Sequence, residues 1–340
     1  MRRLFFPCLI FMLIVPFLIA CKRNQYKINV SSVKAKVEIK RLEKDLFETD
    51  PEKVLLIVPG LKQKYGSFLQ LFSNVINIGD VNDPSFGDFL ARFCTDKLNN
   101  EVYAEIIRQY PDIRFIEKDI EDAFRHYLWY FPDSIVPEVF TCMSGFNYSI
   151  ITGDSVIGIG LERYLGGDCK YYAQLQIYDY LSARMNSWNI VPDCIYSWIA
   201  TEWMFDSAGY STDNVITEMI HEGKLKYLEK CLLPELPDTV LFGFTAERMK
   251  FCLNNERQMW EYLLEHDLLF SSDQMIIRRL TGEAPFTSYF TNESPGRAAV
   301  WIGFRIVESF MVHNKNVHPG DLMNNSDIQG ILRGAGYYPR

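Results

Sequence analysis

Several features that would mark a common class of protein are scarce or missing here. The 35 Lys and Arg residues are outnumbered by 43 Asp and Glu, a formal net charge of −8. No global basic field therefore exists to draw in phosphate backbones, and nucleic acid is excluded as the main partner. Histidine occurs only five times in 340 residues, and the cysteines form no C-x-x-C pair and no Cys/His ligand spacing. That removes the usual structural-zinc readings. Internal repeats, low-complexity tracts and a Gly/Ser/Pro linker are also missing, which leaves a single folded unit. What is present is an ordinary globular balance, 48% hydrophobic and 23% charged, too apolar for a disordered chain.

One long uncharged run stands at the start. Arg2 and Arg3 precede the 17 residues Leu4 to Ala20, which are broken by Pro7 and Pro16. The run is short for a bilayer-spanning helix, and its prolines weaken it further. A basic start, an apolar segment and then Leu18-Ile19-Ala20-Cys21 is the order of a bacterial lipoprotein signal. Residues 1–20 are expected to be cleaved, and the Cys21 thiol to carry diacylglycerol. Several acyl chains on one cysteine anchor a protein stably where a single chain does not. Residues 21–32 then read as a polar tether, and residues 33–340 as one domain.

With Cys8 cleaved and Cys21 lipidated, six cysteines remain: Cys94, Cys142, Cys169, Cys194, Cys231 and Cys252. An oxidising compartment permits disulfides, but the spacing selects no pairing. Buried free thiols are the default where cysteines sit in apolar runs such as Phe93-Cys94 and Phe251-Cys252.

Along the domain, Val37 to Leu42 alternates like a strand, and Asp50-Pro51-Glu52 has the form of a helix start. Apolar residues at three- and four-residue spacing predict helices from there to about Tyr130. Val136–Thr141, Tyr148–Thr152 and Ser155–Leu161 are β-rich, with Gly153-Asp154 suggesting a hairpin. After Gly166-Gly167 the pattern is helical again. The predicted fold is α+β, mostly helical, with a small antiparallel sheet ahead of the most informative helix.

That helix runs from about Asp213 to Leu232. It contains Thr217-Glu218-Met219-Ile220-His221, the H-E-x-x-H zinc form with threonine in place of the first histidine. The intact motif works because histidines four apart grip one Zn²⁺ while the glutamate polarises the bound water. Thr217 supplies no imidazole, so metal ligation and peptidase chemistry are not expected. Glu218 and His221 are the low-specificity candidates that remain, set against a partly exposed surface pair at i,i+3. Neither a catalytic set, a metal nor a cofactor is assigned.

Taken jointly, several segments resemble the gliding-motility lipoprotein B (GldB) family of Bacteroidota. They are Thr217 to Pro234, Ser144-Gly145-Phe146-Asn147, Ile157 to Gly166, Ala284-Pro285-Phe286, Ser294-Pro295-Gly296-Arg297, and Trp301-Ile302-Gly303. The family is similar in turn to predicted zinc proteases with a zincin-like arrangement. There a small sheet precedes the metal helix and a Gly-containing helix follows. The resemblance implies a zincin-like relic and an envelope component of the gliding machinery, working among other envelope proteins. In such bacteria an acidic run after the lipidated cysteine would suggest export to the outer face. Lys22 and Arg23 follow Cys21 instead, so a periplasm-facing anchor is expected, with neither inner nor outer membrane selected.

Other constellations read as structural. Glu162, between a strand and a turn, is assigned to pairing with Arg163 or a helix N-terminus. Ser144 lacks the leading glycine of a nucleophile elbow. Ser294 and Pro295 read as N-cap and first residue of a helix, with Gly303 permitting close packing. His126, His266, His313 and His318 show no ligand spacing. Tyr171, Tyr172, Tyr178, Tyr180, Trp188, Trp198 and Trp203 would form a peptide- or glycan-binding groove only if exposed together. Three functions follow: a noncatalytic membrane-anchored gliding-type lipoprotein, which is preferred, a zinc-dependent hydrolase with a degenerate motif, and a peptide- or glycan-binding lipoprotein.

Overall fold

The computed structural model describes residues 24–339, so the signal segment and Cys21 lie outside the described residues. Four strands form one sheet: β1 (Ile39–Arg41), β2 (Glu138–Cys142), β3 (Ile150–Gly153) and β4 (Val156–Gly160), in the order β1-β2-β4-β3. β1, β2 and β4 run parallel, and only the β3–β4 hairpin is antiparallel. The sheet is thus mixed, not antiparallel as its sequence suggested. The hairpin is set locally, by the two-residue loop Asp154-Ser155 with Ser155 at φ 60°. The parallel pairings are closed by long helical crossovers, which leave no local trace.

Helices cover both faces. Phe140 stacks on Phe68 at 4.4 Å in a small core with Leu42, Leu69 and Phe72. Val139, Ile157 and Ile159 point the other way, into the large helical body. All five residues of β4 are buried, as a strand covered on both faces must be. No helix among the described residues is long and apolar enough to cross a membrane.

The large body is organised around the helix Val215–Leu232, in which fifteen of 18 residues are buried. It crosses the helix Ala298–His313 at two glycines. A Cβ on Gly303 would lie 1.8 Å from the Met219 carbonyl oxygen, and one on Gly223 would lie 2.4 Å from the Gly303 carbonyl carbon. The close packing expected of Gly303 is therefore backbone on backbone.

Other local expectations fare unevenly. Asp50 does cap Pro51–Lys53. The helix after Pro295, however, begins only at Ala298, behind Arg297 at φ 59°. Ser294 is not its cap: the Ser294 hydroxyl donates to the Thr291 carbonyl at 2.6 Å, while Thr287 Oγ1 accepts from the Ala298 amide at 3.0 Å. The stretch 24–32, read as a tether, packs on the body, with Tyr26 and Val30 buried.

Candidate functional site

The central helix starts under tight control. The Asn214 side chain accepts from the Thr217 amide at 3.1 Å and from the Thr217 hydroxyl at 2.8 Å. The Val215 and Ile216 amides bond to the carbonyls of Ser271 and Leu269. Thr217, which stands where a first histidine ligand would, is committed to the cap.

His221 lies one turn on. It is buried, so the sequence picture of a surface Glu–His pair fails on this side. Its Nδ1 is 2.9 Å from the Tyr210 hydroxyl, and the rings of Tyr210 and Phe205 stand edge-on to it. Lys224 Nζ donates to the same Tyr210 oxygen at 3.2 Å and to the Asn325 carbonyl at 2.9 Å. Tyr210 Oη thus joins the Lys224 ammonium to the His221 ring. Burial lowers His221 to about 4 and Lys224 to about 8, which favours a neutral ring.

Glu218 faces a different environment. It lines an open cavity of about 700 Å³ with Asp206, Asp213, Glu222 and Arg297. Burial, reinforced by Glu222 and Asp213, raises its carboxyl to about 7. Deeper in, Arg297 donates to Glu222 at 2.7 Å and to Glu283 at 3.1 Å, Tyr196 donates to Glu222 at 2.8 Å, and Arg184 reaches Glu283 at 3.2 Å. Phe205, whose ring stands edge-on to His221, also lines this cavity, so the two candidates share a neighbour. Among the described residues no group of three or more His, Cys, Asp or Glu is placed to hold a metal ion.

These two groups give opposed pH dependences. His221 is held below its ordinary 6.5, so its contribution to stability is full above that value and is lost as pH falls toward 4. Glu218 is held above its ordinary 4.5, so its contribution falls as pH rises toward 7. Each shift corresponds to roughly 3 kcal/mol. Relative to the wild type, Glu218→Gln should therefore gain stability steadily as pH rises from about 5 to about 6.5, by urea unfolding of both proteins across a pH series. A difference between the two that does not change with pH would overturn the assignment.

The remaining sequence candidates are scattered. Glu162 is fully buried, and its Oε1 accepts from the Ser144 amide, the Ser144 hydroxyl and the Phe146 amide at 2.7, 2.5 and 3.1 Å. Its partner is this turn and not Arg163, which binds Ser149 and the Phe146 carbonyl. His126, His266 and His313 make contacts within their own helices, and His318 caps the helix Pro319–Asn324. All six described cysteines are free thiols. Of the aromatic set, Tyr171, Tyr172 and Trp198 are core, whereas Tyr178 and Trp188 are exposed. Tyr180 and Trp188 line a cavity of about 470 Å³ with Arg184, Phe242, Arg248 and Arg297, so the seven do not form one groove. Sequence reasoning missed Tyr210, Gly223 and the buried charges Lys226 and Glu229. Tyr210 lies ahead of the helix, and the helix itself carries Glu218, Glu222, Lys224, Lys226, Glu229 and Lys230, so nothing in its sequence marked Lys226 and Glu229 as buried.

The chain belongs to the gliding motility protein GldB family, whose pattern it matches over residues 23–339. No curated protein and no solved structure matches it.

Proposed function

We propose, from membership of the gliding motility protein GldB family, that the protein is a noncatalytic lipoprotein, anchored through Cys21 and supporting an envelope machinery with other envelope proteins. In this reading it faces the periplasm. The observation that carries the noncatalytic part is the use of the motif residues: Thr217 is spent on the helix cap and His221 on Tyr210. The central helix, fifteen of whose 18 residues are buried, serves as the core of the fold.

Two measurements test this. Cys21→Ser should abolish acylation and move the protein from the membrane to the soluble fraction, by mass spectrometry and fractionation; an acylated, membrane-bound variant refutes the anchor. Metal analysis of purified protein should find no stoichiometric zinc. Zinc that disappears in His221→Ala would move the assignment to a hydrolase. A binding role is supported by one feature, the cavity beside Trp188, where the segments Ala284-Pro285 and Pro295-Gly296-Arg297 meet.

A further inference from the structure

The first described residues are fastened to the body. The Asn24 side chain donates to the Pro234 carbonyl at 2.8 Å, and Tyr26 donates to Glu308 at 2.6 Å with its ring edge-on to Tyr227. Lys27 pairs with Glu235 at 2.8 Å. Residues 24–26 share one cavity with Val312 and with residues 336–339, so both ends of the described chain meet on one face. Tyr338 is 87% exposed there and Val312 48%.

We infer that this face lies against the lipid headgroups, held by a leash of the two residues between Cys21 and Asn24. The inference rests on acylation at Cys21. The three Cα–Cα steps from Cys21 to Asn24 reach at most roughly 11 Å, whereas a body of this size is roughly 50 Å across. For a sphere of that size the attachment point can tilt from the bilayer by no more than roughly 55° before the leash is taut. A free tether through residue 32 would have reached roughly 40 Å and fixed no orientation. Docking of 24–32 thus converts a flexible anchor into an orienting one. Lys22 and Arg23, next to the acylated cysteine, add attraction for anionic headgroups. The small helical layer around Val81 and Asn82, packed on the opposite side of the sheet from the body, is then presented away from the membrane.

The test uses the acylated full-length protein in phosphatidylethanolamine–phosphatidylglycerol vesicles carrying a headgroup quencher. A fluorescent amino acid is placed at Tyr338 or at Asn82. Quenching at 338 should exceed that at 82 about threefold, since the width of the body separates the two sides. A 12-residue Gly/Ser insertion between Arg23 and Asn24 should make them nearly equal. Equal quenching without the insertion, or unchanged asymmetry with it, overturns the inference while leaving the anchor intact. The mass of the Cys21 peptide separates this from failure of acylation itself, which would sink both.

Discussion

Gly303→Ala should cost on the order of 4 kcal/mol or prevent folding, against a usual overpacking cost of about 1–3 kcal/mol. The reason is what the added methyl meets: the Met219 carbonyl oxygen at 1.8 Å and its carbon at 2.5 Å. Both are backbone atoms of the central helix, and no rotamer change moves them. The two helices must separate along their whole length, and the side chains packed between them lose contact together. Gly223→Ala should behave alike, since its methyl meets Gly303 and Phe304 backbone atoms within 2.7 Å. Gly60, in the helix Val54–Tyr65, supplies the control, because a Cβ there has nothing within 4 Å. Gly60→Ala should gain about 0.5–1 kcal/mol from helix propensity alone. Urea unfolding of the three variants checks the pattern. A Gly303→Ala protein within about 1 kcal/mol of wild type would mean the helices do not cross there.

Much of this was legible in the sequence, and the misses share a cause. Local pattern placed the β3–β4 hairpin and the central helix to within a few residues and marked the rest only as two helical regions, because these features are decided by neighbours in the chain. Parallel pairing of β1, β2 and β4 was not visible, since nothing near Ile39 says that Val139 will lie beside it. The run Val156-Ile157-Gly158-Ile159-Gly160 did carry a hint: a strand without alternation is covered on both faces. The start of the Ala298–His313 helix was misplaced because Arg297 takes a left-handed conformation that proline chemistry does not foretell. His221 was read as a surface residue because Glu218, Glu222, Lys226 and Glu229 suggest a wet stripe on the same helix. Within that stripe Glu222 pairs with Arg297 and Lys226 with Glu229 inside the body, while Glu218 lines the open cavity.

Lys226 and Glu229 make the strongest case for that matching, and Lys226→Met should cost about 3–5 kcal/mol. The ammonium lies 2.7 Å from the carboxylate, with side chains 6% and 1% exposed, and sits 4.0 Å from the centre of the Tyr196 ring. Burial pushes the lysine down and the glutamate up, and each charge persists because the other is there. Methionine keeps the volume of lysine but strands Glu229, which then either pays desolvation as an anion or takes up a proton. Loss of the ammonium, which holds the Glu229 pKa down, lets burial raise it further, so the stability of the variant should decline as pH rises above the ordinary glutamate value of 4.5. Adding Glu229→Met removes the stranded charge and should recover most of the loss, as replacement of buried pairs by apolar side chains generally does. The double-mutant cycle therefore reads the coupling directly. If Lys226→Met costs less than about 1 kcal/mol and shows no new pH slope, water reaches the pair and the stripe is solvated after all.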